Sequence, residues 1–366
     1  MTSELGRRIA RRIAVTGPMS IAQFMAEALG HPTLGYYRRA TPLGTAGDFI
    51  TAPEISQMFG ELLGAWLAER WEAMGRPSPV RMIELGPGRG TLMADALRAT
   101  RGVTGFHLAL DLHLVEINAP LRTAQQAALA LYNPTWHETF DDVPGGPVLL
   151  IANEFFDALP IRQFERTQRG WSERMVGLGS DGESLAFALS PGPSAFAGLL
   201  PAALRDSCLP TGTVAEVSVA AADLANRIAK RLVQDGGWAL IVDYGRDRAA
   251  PGATLQALRG HSSVDPLDRP GETDLTAHVD FAALADAVRA AGARTFGPVG
   301  QGIFLRRLGI ERRAATLKAR ATPTQSAGID AALLRLIGPD QMGTLFRVLA
   351  VGDDRSAAPA GFSDET

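Results

Sequence analysis

Three closely spaced glycines give the clearest chemical signal in the sequence. Gly86, Gly88 and Gly90 follow the apolar run VRMIEL and precede the helix-like run TLMADALRAT. Glycine tolerates positive φ and lets a ligand approach the backbone closely. The start of a helix also leaves N–H groups free to bind anionic or carboxylate groups. We therefore predict that a ligand binds at this turn.

The spacing of these glycines distinguishes three classes of ligand. A phosphate-binding P-loop requires a lysine after its last glycine, and the segment GRGTLM has none. The dinucleotide pattern G-x-G-x-x-G has a last interval one residue longer than the one here. The observed E-x-G-x-G-x-G, from Glu84 to Gly90, resembles the first motif of S-adenosylmethionine-dependent methyltransferases. In those enzymes the loop approaches the methionine and ribose part of the cofactor, which implies cofactor contacts for Glu84 and the three glycines.

A carboxylate on the next predicted strand supports a ligand that contains adenosine. Glu116 directly follows the apolar run LHLV, at a position where a carboxylate can accept hydrogen bonds from both ribose hydroxyls. NAD-binding enzymes share such an acid, so Glu116 does not select among adenosine ligands. The later segment WHETF would bring Glu138 near the adenine together with Trp136 and His137, unless Trp136 simply belongs to the core.

Strand-like and helix-like runs alternate along the chain and predict the frame that positions these residues. The predicted strands are 80–85, 110–117, 146–155 and 236–245, and the predicted helices between them are 91–100, 119–129 and 216–233. This alternation predicts an α/β fold with a mostly parallel sheet and helices on both faces. Ligands of such sheets bind beyond the carboxyl ends of the strands, so we expect the glycine turn and the acids at one edge.

The bulk composition excludes several classes of partner. A net charge of −3 at pH 7 gives no general attraction to nucleic acid or to an acidic membrane. The single Cys208 rules out an internal disulfide and a multi-cysteine metal site. No apolar run approaches the ~20 residues that span a bilayer. The arginine-rich N-terminus lacks the apolar core of a secretory signal and is predicted to form an amphipathic helix, so we expect a cytoplasmic protein without membrane insertion.

Six longer segments extend the resemblance to most of the chain. They lie in order over residues 20–310 and read GDFITAPEISQMFGELLGAW, IELGPGRGTLMADALR, HLVEINAPLR, IANEFFDALPIRQF, GGWALIVDYG and GETDLTAHVDFAALA. With them the chain resembles bacterial members of the mitochondrial complex I assembly factor 7 family, protein arginine methyltransferases of the seven-strand class. The resemblance implies a seven-strand Rossmann-like fold and S-adenosyl-L-methionine as methyl donor. It also implies symmetric ω-dimethylation of an arginine in the 49-kDa-type subunit of respiratory complex I, which would be the protein partner in the bacterial cytoplasm.

The resemblance and the distribution of glycine and proline together predict four regions. Residues 1–75 would form an N-terminal helical and lid segment, and residues 76–310 the methyltransferase domain. A substrate-binding insertion is expected at 160–215, where WSERMVGLGSDGESLAFALS alternates like an antiparallel hairpin. Residues 311–352 are predicted to be helical, and residues 353–366 to be a disordered tail.

Methyl transfer to arginine needs carboxylates beside the acceptor. The guanidinium is protonated at physiological pH, so a nitrogen lone pair must face the methyl group while bidentate hydrogen bonds localise the charge on the other nitrogens. The segment IANEFFDALP follows an apolar strand at the ligand edge. We predict Glu154 as the first choice for the guanidinium partner, Asp157 as the second, and Asn153 as a group that orients a carboxylate or contacts the donor. The alternative is that Asn153 and Asp157 cap the following turn.

Two further segments supply candidate lid and substrate groups. The segment GDFITAPEIS precedes the glycine loop, where it would fold over the cofactor and exclude water. Strand 236–245 and the segment DLTAHVDF contribute polar groups near the same edge. The candidates are Asp48, Thr51, Glu54, Asp243, Tyr244 and His278. Capping and loop hydrogen bonds are the alternative roles for them, and no spacing demands a metal ion.

Two other functions fit part of this pattern. A methyltransferase-like scaffold that binds S-adenosylmethionine without catalysis would act as an assembly chaperone. The second alternative is a methyltransferase whose acceptor is a small molecule. The long loop at 31–56 and the insertion at 160–215 favour a large or peptide acceptor, because a small acceptor needs less covering.

Overall fold

The computed structural model describes residues 3–38, 51–205, 208–260, 262–353 and 357–362. Its helices are α1 (Glu4–Thr16), α2 (Ile21–Gly30), α3 (Ala52–Ile55), α4 (Gln57–Ala73), α5 (Thr91–Ala99), α6 (Phe106–Ala109), α7 (Ala119–Ala128), α8 (Val219–Asp235), α9 (Phe281–Ala290), α10 (Gln301–Arg307), α11 (Ile310–Lys318), α12 (Pro323–Ile337) and α13 (Met342–Leu345).

The strands form a central sheet, a second antiparallel sheet and a small third sheet. They are β1 (Met19–Ser20), β2 (Val80–Leu85), β3 (Leu110–Val115), β4 (Thr135–His137), β5 (Val148–Asn153), β6 (Arg162–Thr167), β7 (Gly170–Leu178), β8 (Leu185–Leu189), β9 (Val214–Val217), β10 (Gly237–Arg246), β11 (Gln256–Arg259), β12 (Ser262–Val264), β13 (Asp274–Thr276), β14 (Val279–Asp280), β15 (Arg294–Gly300) and β16 (Phe346–Gly352).

The central sheet has the strand order β15-β16-β10-β5-β2-β3-β4, with β14 paired to the end of β10. Its strands from β10 to β4 are parallel, whereas β16 is antiparallel to both of its neighbours. Every residue of β5 is buried, as expected for a parallel strand covered on both faces. The predicted seven-strand Rossmann-like α/β fold is confirmed.

Helices cover the two faces of this sheet. On one face Met82 of β2 packs with α4 and α5 in a core that extends to the C-terminal helices. On the other face Ile83, the next residue of β2, packs with α8 and α9. Helices α4 and α5 lie close together, because a Cβ atom on Gly64 would stand 2.5 Å from the Cα atom of Ala96. The period of two along each strand therefore assigns its side chains to two separate cores.

The insertion forms an antiparallel sheet with the order β1-β7-β6-β9, and β8 pairs with residues 174–178 of β7, the part of that strand that also pairs with β1. The hairpin expected within 171–190 is confirmed by the pairing of β7 with β8. One strand of this sheet comes from the N-terminus, since Met19 pairs with Val176. Helices α1 and α2 pack beside it in a third core. The N-terminal segment and the insertion are thus joined through a shared sheet and core.

Two predictions for the C-terminal part need correction. The segment 311–352 is helical only up to α13, because β16 enters the central sheet between β10 and β15. The tail is ordered over 357–362, where the indole N–H of Trp66 donates to the Ala360 carbonyl oxygen at 3.0 Å. The ring of Phe362 lies 5.3 Å from that of Phe304. Within the described ranges, no helix has the length and hydropathy needed to cross a membrane.

Candidate active site

One cavity of about 330 Å³ lies beyond the carboxyl ends of β2, β3 and β5, at the low end of the volumes usual for ligand sites. One part of its wall, the glycine-loop end, comprises Glu84, Gly86, Gly88, Thr91, Glu116 and Glu138. The other part, the Glu154 end, comprises Asn153, Glu154, Phe155, Ala158, Leu159 and Pro160 with residues of α2. The predicted donor and acceptor groups therefore share one cavity.

The glycine loop has the backbone conformation that its sequence demands. The φ angles of Gly86, Gly88 and Gly90 are 62°, 53° and 83°, values that residues with a side chain rarely adopt. A Cβ atom on Gly86 would also stand 2.7 Å from the Cδ2 atom of Phe155. Gly90 is the N-cap of α5, so the loop leads directly into a helix N-terminus. These contacts explain why three glycines are needed here.

Glu84 presents a buried carboxyl group to the cavity. Its side chain is 3% exposed, and its Oε2 atom has no hydrogen-bond partner within the described part of the chain. Burial, followed by the nearby Glu116 carboxylate, raises the pKa of Glu84 to about 8. An unpartnered buried acceptor of this kind is costly in a folded protein, and a ligand that donates a hydrogen bond would remove that cost.

Glu116 is fixed by neighbouring amide groups at the end of β3. Its Oε1 atom accepts from the Asn118 backbone N–H at 2.8 Å, and its Oε2 atom accepts from Gln125 Nε2 at 3.2 Å. Burial raises the pKa of this carboxyl, and the hydrogen bonds from Asn118 and Gln125 oppose that shift. Glu138 also lines the cavity but is exposed.

Gln125 is a structural link that the sequence did not single out. Its Nε2 atom also donates to the Gly88 carbonyl oxygen at 2.7 Å, and its Oε1 atom accepts from the Trp136 indole N–H at 2.7 Å. It therefore connects the glycine loop to Glu116. Trp136 packs against the core and does not line the cavity. The signal available in the sequence was a polar side chain four residues after Leu121, on the apolar face of α7.

Glu154 lies on the cavity wall directly after β5. Its Oε1 atom accepts from the Ala52 backbone N–H at 3.0 Å and from Asn153 Nδ2 at 3.3 Å. Burial raises its pKa to about 7, the Ala52 hydrogen bond opposes that shift, and the Asp157 carboxylate adds to it. The φ angle of Glu154 is 49°, which is uncommon for a residue other than glycine and typical of functional sites.

Asn153 contributes a second unpartnered acceptor to the same wall. The residue is 8% exposed, and its Oδ1 atom has no hydrogen-bond partner among the described residues. Its Nδ2 atom is oriented by Glu154, so Oδ1 is the free end of a fixed amide. The site thus offers a buried acceptor at each end, one on Glu84 and one on Asn153.

Asp243 holds the loop after β5 instead of lining the cavity. Its Oδ2 atom accepts from the backbone N–H groups of Phe155, Phe156 and Asp157 at 3.2, 2.9 and 3.2 Å. Its Oδ1 atom accepts from the Tyr244 N–H at 2.9 Å. Burial and the nearby Asp157 raise its pKa. Asp243 therefore fixes the backbone that carries Glu154, whereas the sequence analysis assigned it to substrate or lid.

Asp157, Tyr244 and His278 form a group behind the cavity wall, and none of the three lines it. Burial raises the pKa of Asp157 to about 6, and a hydrogen bond with the Tyr244 side chain opposes that shift. The rings of Tyr244 and His278 are 5.5 Å apart. The backbone N–H of His278 donates to Thr254 Oγ1 at 2.9 Å. The alternative of a structural role fits these three residues better than direct contact with a ligand.

The segment before α4 reaches the cavity through two of its three predicted residues. Thr51 and Glu54 line the wall, and Glu54 Oε1 accepts from Thr91 Oγ1 at 2.5 Å. That bond ties α3 to the first residue of α5. Asp48 lies outside the described residues. The placement is that expected of a cover over the glycine-loop end.

The N-terminal helix α2 supplies cavity residues that the sequence analysis missed. Met25 and Leu29 of α2 line the Glu154 end, as does Tyr37 in the helical turn after α2, and Tyr37 Oη donates to Asp274 Oδ1 at 3.0 Å. Burial raises the pKa of Tyr37, with the charge of Asp274 as the next cause. No local pattern marks these residues, because they reach the site through the packing of α2 on the insertion sheet.

The residues present fit S-adenosylmethionine. Its ammonium and ribose hydroxyl groups are hydrogen-bond donors, and the cavity offers them the carboxylates of Glu84 and Glu116 and the free Asn153 oxygen. The apolar side chains of Val115, Leu92 and Leu121 line the same end. Across the described parts of the chain, no group of three or more His, Cys, Asp or Glu residues is arranged to hold a metal ion.

Comparison with known proteins agrees with this fit. The model of a family described as "Putative S-adenosyl-L-methionine-dependent methyltransferase" matches residues 62–299. The chain is 37% identical over 372 residues to protein arginine methyltransferase NDUFAF7, mitochondrial, of Danio rerio, covering 94% of this chain and 86% of that protein. It is 37% identical over 379 residues to the Drosophila melanogaster homologue, covering 95% and 84%. A crystal structure from Burkholderia thailandensis bound to S-adenosyl-homocysteine has a TM-score of 0.82 and 28% identity, covering 98% of this chain and 94% of that chain.

Proposed function

The chain belongs to the S-adenosyl-L-methionine-dependent methyltransferase family that includes the NDUFAF7 proteins, and from this premise we propose that it methylates an arginine of a protein. The donor is S-adenosylmethionine, which carries an activated methyl group on its sulfonium. The observation that carries the proposal is the partly buried Glu154 carboxyl at the wall of the donor cavity, whose hydrogen bonds among the described residues come from two neutral amides, Ala52 N and Asn153 Nδ2.

We propose that Glu154 binds the acceptor guanidinium and receives its proton. A buried carboxylate attracts a cation strongly, and a bidentate contact leaves one guanidinium nitrogen free to face the methyl group. Methylation of that nitrogen releases a proton, because both the substrate and the product guanidinium carry a single positive charge. A carboxyl whose pKa is raised to about 7 is suited to accept that proton near neutral pH.

At the donor side we propose that Glu84, Glu116 and the backbone of the glycine loop bind S-adenosylmethionine. Glu138 is proposed to contact its adenine from the exposed rim. Asn153 is proposed to orient Glu154 and to accept a hydrogen bond from the donor through its free oxygen. Thr51 and Glu54 would cover the bound donor and exclude water, which strengthens electrostatic contacts within the cavity.

We further propose that the acceptor is an arginine of a 49-kDa-type subunit of respiratory complex I, that it is dimethylated symmetrically, and that the reaction occurs in the bacterial cytoplasm. The relatives are named protein arginine methyltransferase NDUFAF7, which supports the acceptor class.

The first experiment combines methyl-labelled S-adenosylmethionine, the protein, and lysate from a strain that lacks it. We expect label in symmetric dimethylarginine on one polypeptide of the size of the complex I subunit, detected by amino-acid analysis of the hydrolysed protein fraction. Label in a small-molecule fraction, or none in protein although calorimetry detects donor binding, would overturn the proposed function.

The same assay tests the role of Glu154. Glu154→Gln preserves the side-chain oxygen that accepts from Ala52 N but removes the charge, so we expect transfer to fall about 100-fold or more while donor affinity stays within about twofold. Glu183→Gln, a change in an exposed turn of the insertion, is the matched control and should label like the parent protein. Equal labelling by Glu154→Gln would remove Glu154 from the reaction.

A further inference from the structure

A surface groove continues outward from the Glu154 end of the cavity. It lies between α1 and α2 and is lined by Arg12, Thr16, Pro18, Met19, Gln23 and His31, among others. Ala26 and Gly30 of α2 line both the groove and the cavity. These two residues lie one helical turn apart, and both are exposed.

Only small residues of α2 lie between the groove and the cavity. Ala26 and Gly30 are the two smallest residue types, and a Cβ atom on Gly30 would have no atom of the described residues within 4 Å. No bulky group of α2 therefore separates the acceptor carboxyl from the groove. If the guanidinium of an acceptor arginine contacts Glu154, its side chain would extend into the cavity and its backbone would lie at this border.

We propose that the groove binds the polypeptide that flanks the acceptor arginine, so that the substrate is an extended protein segment instead of free arginine or a small guanidine. This inference rests on the proposed function. The groove combines apolar contacts from Pro18 and Met19 with polar side chains from Gln23 and His31, which suits a peptide backbone with mixed side chains.

The charges of the groove favour a polypeptide over nucleic acid. Arg12 is paired with Glu27 across the two helices at 2.6 Å, and both residues line the groove. The pair is neutral as a unit, so the groove provides no excess of positive charge for phosphates. Specificity would come from shape and hydrogen bonding along the backbone.

Two variants obstruct the groove at different distances from the cavity. Gly30→Leu fills the border, where the Cβ atom would have no described atom within 4 Å. Thr16→Trp places a large side chain in the groove but away from the cavity, because Thr16 lines only the groove. The control is Gly328→Leu, an exposed helical glycine of α12 that also has nothing within 4 Å of its Cβ position.

All three variants are compared with the parent protein in the labelling assay, with donor affinity measured by calorimetry and folding by thermal unfolding. We expect Gly30→Leu and Thr16→Trp each to lose about tenfold or more of the label in protein arginine, with unchanged donor affinity. We expect Gly328→Leu to label like the parent. This pattern would establish the groove as part of the substrate site.

The other outcomes separate this inference from the proposed function. Full labelling by Thr16→Trp would overturn the groove even if Gly30→Leu were inactive, because only the cavity mouth would then matter. A change in oligomeric state with full labelling would identify the groove as a contact between copies of the chain and would also overturn it. No labelling of protein arginine by the parent itself would refute the proposed function, and the groove with it.

Discussion

Carboxyl groups line both ends of the cavity, but they are held in different ways. At the glycine-loop end each oxygen of Glu116 has a partner from the following segment, Asn118 N or Gln125 Nε2. At the other end Glu154 is bonded to Ala52, which is distant in sequence, and its loop is held by Asp243. The acid at the glycine-loop end is thus held by the segment that directly follows it, whereas the acid at the Glu154 end is held by a segment distant in sequence.

This difference suggests a division of roles that experiments can separate. The glycine-loop end is fixed before any ligand binds, which suits recognition of one constant donor. At the Glu154 end the pKa of the carboxyl is raised to about 7. Such a group can bind a cationic acceptor near neutral pH and then accept the proton that methylation releases. Changes at the first end should alter donor affinity, and changes at the second end should alter transfer.

The largest expected effect is the loss of donor binding in Gly88→Val. The φ angle of Gly88 is 53°, a conformation that a β-branched residue cannot adopt without strain, and its new side chain would enter the cavity. We expect the affinity for S-adenosylmethionine to fall about 100-fold or more by calorimetry. Gly102→Val is the matched control, because Gly102 is exposed and its Cβ position meets nothing within 4 Å. Unchanged affinity in Gly88→Val would mean that the donor binds elsewhere.

The second expected effect is an acid limb in the pH profile of transfer. Glu154 must be ionised to bind a guanidinium, and its pKa is raised to about 7. We therefore expect kcat/KM to fall about tenfold per pH unit below pH 7 and to level off above it. The residual rate of Glu154→Gln should lack this limb. If that variant shows the same limb, another group controls the profile.

The contrast between the two ends also decides how much the sequence could predict. Three glycines, an acid before them and an acid after the next strand are local patterns. The structure brings Glu84, Gly86, Gly88 and Glu116 to one cavity, whereas Gly90 caps α5 and does not line it. Glu154 could be chosen because it directly follows β5, whose first five residues are apolar. Asp243 has the same local signal, yet it binds three successive N–H groups of the loop after β5. Only the three-dimensional course of that loop distinguishes the two acids.

The parts of the fold that the sequence missed have a similar cause. The segment FRVLAVG of β16 is too short to separate strand from helix by periodicity, and its place between β10 and β15 depends on distant partners. The two-residue strand β1 is defined only by its pairing with β7. The ordered residues 357–362 contact Trp66 and Phe304, which no local pattern indicates.

The third expected effect concerns stability at the glycine-loop end. The pKa of Glu84 is raised from 4.5 to about 8 in the folded chain, so the folded state favours the protonated carboxyl. This contribution to stability is fully present below pH 4.5 and is lost as the pH rises through 8. Without donor, the free energy of unfolding should therefore decrease from pH 5 to pH 8, and this decrease should be about 3 kcal/mol smaller in Glu84→Gln than in the parent. Urea unfolding at both pH values measures this difference, and Glu183→Gln should retain the parental slope; a Glu84→Gln slope as steep as the parental one would contradict the assignment.

The smallest expected effect is a shift of the acid limb in Asp157→Asn, and it tests how the two acids after β5 divide their roles. Asp157 lies behind the wall, and its charge is one cause of the raised Glu154 pKa. Removing that charge lowers the pKa of Glu154, so the limb should move to lower pH. We expect the ratio of kcat/KM at pH 6 to that at pH 8 to rise about two- to threefold, with transfer at pH 8 largely retained. If Asp157→Asn instead abolishes transfer as completely as Glu154→Gln at pH 8, Asp157 itself contacts the acceptor, and the Glu154 end must open further than its present packing allows.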